Sequence, residues 1–137
     1  MDEDAYGRLQ RDVADYPFYA WAGLELVSAL PGEVVMALDA KPEQMNLAGV
    51  LHGGMIATLA DSATGLAVRT MIEPGRRHVT IQLDVHYLAP GSPGRVTAHA
   101  KTVRVGSQIA YAEADVRDVR GRLIARVTST IAITRER

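Results

Sequence analysis

The spacing of hydrophobic residues along the chain changes period twice. Between Asp4 and Asp15, Ala5, Leu9 and Val13 recur every four residues, which predicts an amphipathic helix that Pro17 stops. From Gly23 to Leu30 and from Glu33 to Ala40 the pattern shortens toward alternation, clearest at Val34, Met36 and Leu38. Pro31-Gly32 between them suits the centre of a type II turn, so the two segments read as a hairpin. Lys41 to Leu51 reads as an irregular loop. From Gly53 to about Met71 the helical period returns, with Ile56, Leu59, Ala60, Ala63, Ala67, Val68 and Met71 on one face. The opposite side carries Gly54, Ala57, Thr58, Asp61 and Gly65, nearly all small. Small residues let a second backbone come close, so this helix is expected to pack on more than one side before Pro74-Gly75 ends it.

The remainder reads as strands. Val79, Ile81, Leu83, Val85 and Tyr87 alternate strictly with Thr80, Gln82, Asp84 and His86. After a turn at Pro90 to Gly94 come Val96 to Val105, the turn Gly106-Ser107, Ile109 to Arg117, the turn Asp118 to Gly121, and Leu123 to Thr134. Four consecutive strands with short turns predict an antiparallel meander. A single antiparallel sheet curled around one long apolar helix satisfies the whole order. The fold class expected is therefore α+β, as one domain over residues 1–137.

Composition removes several function classes. Fifteen Lys+Arg against sixteen Asp+Glu provide no basic excess to neutralise phosphates, so nucleic acid is not an expected partner. With no cysteine there is no disulfide framework, thiolate metal site or thiol nucleophile, which fits a reducing compartment. The opening MDEDAYGRLQ is acidic where an export signal is basic and then apolar, so a cytoplasmic location is expected. Residues 47–68 are nearly long enough to span a bilayer, but Asp61 near its centre would cost roughly 2.5 kcal/mol or more there. A buried helix explains the same letters, and no membrane span is expected.

Asp61 is the one Asp, Glu, Lys or Arg between Glu43 and Arg69. It falls mid-helix, where Asp has poor propensity and no capping role. A satisfied structural Asp is the plainer explanation, but its small neighbours would strip part of its hydration and make it a candidate base. The second feature is the helix entry, Asn46-Leu-Ala-Gly-Val-Leu-His52-Gly53-Gly54. The first amides of a helix are unpaired and carry the positive end of its dipole, and glycine leaves them accessible to a developing oxyanion. Gly53 and Asp61 lie ~12 Å apart along one helix, too far for one reacting carbon to touch both. If both act on one substrate, Asp61 comes from a second, antiparallel helix, and a two-fold homodimer supplies it.

The segment HGGMIATLADSATGLAV, the preceding Asn46, the strand ending Tyr87-Leu88-Ala89-Pro90 and the Gly106-centred turn together resemble the hotdog-fold acyl-CoA thioesterases. The resemblance covers most of the chain and is to the phenylacetate-degradation (PaaI-type) branch of the 4-hydroxybenzoyl-CoA thioesterase-like superfamily. It implies a sheet wrapped round a central helix, dimers that join their sheets, and tetramers built as dimers of dimers. It implies that the Gly53 amide polarises the thioester carbonyl, and that Asp61 of the other subunit activates water or attacks directly. By the same resemblance Asn46 positions the carbonyl or the water, His52 orders the helix entry, and Thr80 holds the water near the carboxylate. Coenzyme A would enter as part of the substrate, with no separate cofactor. Arg76, Arg77 and Arg104 are candidate partners for its phosphates, because guanidinium meets phosphate in a bidentate fork. Tyr87, Gly106 and Ser107 would lie along its path.

His78, Thr80, Gln82, Asp84 and His86 read as sharing one strand face, where His86 and Asp84 invite a divalent ion. Positions i and i+2 are ~6.6 Å apart on a strand, poor chelate spacing, and no metal is expected. Two other functions fit the same residues: a hydratase or dehydratase acting on acyl thioesters, and a non-catalytic module that binds acyl-CoA.

Overall fold

The computed structural model of the chain describes residues 4–135. Helix α1 (Ala5–Asp15) is capped by Asp4, whose Oδ1 accepts the Gly7 N–H at 2.7 Å, and it buries Leu9 completely. Pro17 does more than stop α1. It opens a second short helix, α2 (Pro17–Ala22), that periodicity did not reveal; at the first helical position its missing N–H costs nothing. The chain then forms β1 (Leu24–Leu30) and β2 (Glu33–Asp39), turning at Gly32 with φ +77°, as the second central position of a type II turn requires. A 3-10 turn (Pro42–Gln44) and a bridge between Met45 and Leu51 shape the loop that follows.

Helix α3 (Gly53–Arg69) is the central element, and β3 (Arg76–Tyr87), β4 (Arg95–Val105), β5 (Ile109–Arg117) and β6 (Leu123–Arg135) complete an antiparallel sheet. It contacts β2 through β6. Ile56, Leu59, Ala60, Ala63, Leu66 and Ala67 are buried against Val34, Met36, Leu38, Val96, Val116, Ile124 and Val127. Buried alanines on the inward faces of β4 and β5 (Ala98, Ala100, Ala112, Ala114) leave room for the helix to lie close to the sheet. The helix stops at Arg69, before Pro74-Gly75, and Met71 is exposed rather than part of the buried face.

The sheet order is β1-β2-β4-β5-β6-β3, so the expected four-strand meander is only partly realised. Strands β4, β5 and β6 form one. Strand β3 pairs with β6 and lies at the far edge, while β4 slots in beside β2. The connection from β3 to β4, residues 88–94, is therefore a crossover: Leu88 and Ala89 donate to the Ile124 carbonyl, and Ser92 N–H donates to Asp118. Three backbone N–H groups, from Ser92, Arg122 and Arg120, hold the Asp118 carboxyl below the usual carboxylate range.

A β-bulge at Ile81 changes what β3 presents. Thr80 pairs with Ile131 and Gln82 with Thr130, so Ile81 is left without a partner position. Before the bulge, His78 and Thr80 face α3, and Val79 and Ile81 are exposed. Beyond it the phase inverts: Leu83 and Val85 pack on the core, and Gln82, Asp84 and His86 face outward. The five polar residues therefore do not share a face, and His78 stands on the opposite side of the sheet from Asp84 and His86. Among the described residues, no helix is long and apolar enough to cross a membrane.

Candidate active site

Asp61 sits half-buried near the middle of α3, and Thr80 donates its hydroxyl hydrogen to Asp61 Oδ1 at 2.8 Å. The side of α3 that carries Gly54, Ala57, Thr58 and Asp61 is not closed over by the sheet, since all four retain exposure. Gly65, one turn beyond Asp61, is buried because the His78 ring lies on it; a Cβ there would stand 3.1 Å from His78 Cε1. Burial, and then the nearby Arg69, lower the His78 pKa below the ordinary histidine value, against the pull of Asp61 and Asp12. The ring is therefore neutral at pH 7. Burial likewise raises the Tyr19 hydroxyl, with Arg69 opposing.

The helix entry forms the second part. His52 caps α3: its Nδ1 accepts the Gly54 N–H at 2.9 Å, which leaves the ring proton on Nε2. Gly53 occupies the first helical position, so its N–H is one the helix itself leaves unpaired. Its carbonyl accepts the Tyr87 hydroxyl at 2.7 Å, and a Cβ on Gly53 would meet the Tyr87 ring at 3.1 Å. Asn46 organises the loop before it, with Oδ1 accepting from Ala48 N–H at 2.9 Å and Val50 N–H at 3.3 Å. Gln44 ties that loop to α2 through Ala22 O and to His52 through its own carbonyl. Asn46, His52, Gly53 and Tyr87 line one open pocket of about 610 Å³.

The structure thus gathers Asn46, His52, Gly53 and Tyr87 at one end of α3 and pairs Asp61 with Thr80 at its middle. It separates Tyr87 from the other residues expected along the coenzyme A path. Arg76, at the start of β3, donates to Ser107 O at 2.9 Å, whereas Tyr87 is the last residue of that strand, roughly 35 Å away. Gly106 closes the β4–β5 turn by donating to Ile109 O at 2.9 Å. Arg76 and Arg77 line a common cleft with His78; Arg104 is exposed on β4, beside a bulge at Val103, and is not among that cleft's lining residues. His78 escaped the sequence reading as a site residue, because regular alternation puts it on one face with Asp84 and His86, and only the bulge at Ile81 separates it from them and leaves it against α3.

Residues 48–125 match the family model described as the Thioesterase superfamily. The chain belongs to the Thioesterase superfamily. Human acyl-coenzyme A thioesterase 13 is 33% identical over 106 residues, 74% of this chain and 74% of that protein. The 1,4-dihydroxy-2-naphthoyl-CoA hydrolase of Listeria monocytogenes is 29% identical over 84% of this chain and 94% of its own length. Among solved structures, a thioesterase family protein from Silicibacter pomeroyi superposes with a TM-score of 0.87 at 27% identity, over 93% of this chain and 96% of that one. The phenylacetic acid degradation protein PaaI of Thermus thermophilus gives 0.77 at 32% identity, over 85% and 98%. As a member of this superfamily, with the hotdog fold of these neighbours, the chain is a thioester hydrolase.

Proposed function

We propose that this superfamily member hydrolyses acyl-CoA thioesters to free acid and coenzyme A, at two sites shared across a homodimer. The observation that carries this reading is the Asp61 carboxylate, fixed by Thr80 in a half-open stripe of small residues. The Gly53 amide of the same chain lies ~12 Å along the helix, beyond the ~3 Å reach a reacting carbon needs. One substrate therefore meets Asp61 of one protomer and Gly53 of its partner. Strand β3 supports such an assembly. It is a sheet edge with an unpaired side, and it exposes Val79 at 54% and Ile81 at 60%. Two-fold pairing of β3 edges sets the two α3 helices antiparallel, and two such dimers stacked as a tetramer keep each site's membership unchanged.

Asp61 acts as the general base. With Thr80 on Oδ1, Oδ2 takes a proton from water as the water oxygen attacks the thioester carbonyl carbon. The negative charge that develops on the carbonyl oxygen is met by the Gly53 N–H at the positive end of the partner's α3. Collapse breaks the C–S bond, the acid departs, and the coenzyme A thiolate takes up the proton held by Asp61. His52 orders the helix entry, and Asn46 positions the carbonyl from the adjoining loop. The names of the human and Listeria relatives support a CoA thioester as substrate. No separate cofactor is used, and the cysteine-free composition supports a cytoplasmic location.

Asp61→Asn tests the reading directly. It keeps the side-chain shape and the Thr80 contact and removes the base, so kcat on acyl-CoA falls by about 10²- to 10⁴-fold while the melting temperature holds. Unchanged turnover would overturn it.

A further inference from the structure

Asp61, Gly65 and Arg69 follow one another at four-residue intervals along α3, so the three share one face of the helix. Arg69 therefore stands ~12 Å along the axis from the base, and the residue midway between them has no side chain. A guanidinium that crossed Gly65 would pair with Asp61. Thr80 occupies Oδ1, and among the described residues nothing bonds Oδ2, the oxygen that must take the proton from water. An arginine on Oδ2 would displace that water and stabilise the charged carboxylate, which makes it a poorer base.

Two features keep Arg69 away. The first is Asp12 of α1, whose Oδ2 accepts from Arg69 Nε at 2.7 Å. Among the described residues this is the one hydrogen bond that Arg69 makes, so its position depends on Asp12 alone. The two side chains keep 27% and 26% of their surface exposed, and an ion pair this accessible adds little to folding. Its place two turns from the base gives it another use.

The second is His78. Its ring lies over Gly65, so close that a Cβ there would stand 3.1 Å from Cε1 and 3.2 Å from Nδ1. The imidazole fills the volume that a side chain at position 65 would take, between Asp61 and Arg69. Being neutral, chiefly through burial, it supplies bulk without a competing charge. Asp12, Arg69 and His78 line one pocket with Tyr19, where α1, α2, α3 and β3 meet.

We propose that Asp12 is a positioning residue for the hydrolysis: it draws Arg69 outward, His78 bars the way over Gly65, and Asp61 is left unpaired to act as base. The proposal rests on the acyl-CoA hydrolysis reading. It gives α1 a part in the reaction without bringing any of its atoms to the substrate.

Three variants test it: Asp12→Ala, Arg69→Gln and the two combined. Asp12→Ala frees Arg69, so kcat on an acyl-CoA falls by about tenfold or more while KM stays within about twofold. Arg69→Gln removes the competing charge and keeps kcat within about twofold of wild type. The double variant recovers kcat to within about threefold of wild type, although both halves of the ion pair are gone. A purely structural pair gives the opposite order: the single variants lose alike and the double recovers nothing, which overturns the proposal. Unchanged kcat in Asp12→Ala overturns it too. A crystal structure of Asp12→Ala is the readout apart from turnover. Arg69 within hydrogen-bond distance of Asp61 is expected, and any other place for it overturns the proposal. If the wild type hydrolyses no acyl-CoA, the hydrolysis reading fails separately, and that crystal structure still decides whether Asp12 keeps Arg69 from Asp61.

Discussion

Thr80 donates its hydroxyl hydrogen to Asp61 Oδ1 at 2.8 Å across the gap between an edge strand and the central helix. Both flanking strand residues, Val79 and Ile81, point away from that helix. The bulge at Ile81 makes this possible, because it lets Thr80 face α3 while Leu83 and Val85 also turn inward to the core further along the same strand. A regular strand would have to choose between the polar contact and the apolar packing.

Replacing Thr80 by Val removes the donor and keeps the shape. A hydrogen bond to a charged group contributes about 1.5–3 kcal/mol, so kcat is expected to fall about 10- to 100-fold, less than for Asp61→Asn. Thr80→Ser restores most of it. A Thr80→Val enzyme with wild-type kcat would remove Thr80 from the site.

Gly53 tests the amide itself. Gly53→Pro deletes the N–H at a helix position that tolerates proline, and His52 at ψ 135° already has the extended backbone a following proline needs. Gly53→Ala brings the same close contact with Tyr87 but keeps the N–H. The proline variant is expected to lose about 10²–10³ in kcat and the alanine variant much less. Refolding Asp61→Asn together with Gly53→Pro should regain about a quarter of wild-type activity, since each mixed dimer rebuilds one intact site. No recovery in verified mixed dimers would mean that each site lies within one chain.

The β3 edge is the predicted seam. Asp at both Val79 and Ile81 places like charges across the two-fold axis, where directly opposed charges repel. The variant is expected to sediment at monomer mass and to lose turnover, with its circular dichroism unchanged. A dimer of full activity would locate the interface elsewhere.

His78 makes stability depend on pH in a defined direction. Its native pKa lies below the ordinary 6.5, chiefly through burial and then Arg69, with Asp61 and Asp12 opposing. From about a pH unit above 6.5 the imidazole is neutral in both states and contributes no slope. As pH falls below that, the unfolded chain takes up a proton that the native one refuses, and stability drops. His78→Gln should flatten urea-unfolding stability between about pH 7.5 and 5.5 relative to wild type. An unchanged slope would show that His78 is not the group responsible.

Local pattern was enough to read the helix from Gly53, the hairpin at Pro31-Gly32, the strands, the isolated Asp61 and the glycine-led helix entry. Each of these is written in neighbours three, four or two residues apart, because burial of one face imposes that period on the chain. It was enough also to expect a shared site, since helix rise separates Gly53 from Asp61 whatever surrounds them.

Tertiary structure decided the rest. The unbroken alternation from Val79 to Tyr87 conceals the bulge at Ile81, whose cause is pairing with β6 some fifty residues later. The place of β3 at the sheet edge follows from β4 pairing with β2, a choice that no residue of β3 records. Arg8, Arg69 and Arg76 read as separate surface charges in sequence, and only the packing of α1 beside α3 and β3 turns them into one wall. Periodicity reports which face of an element is buried; which other element covers it is set by long-range contacts that a single stretch of sequence does not contain.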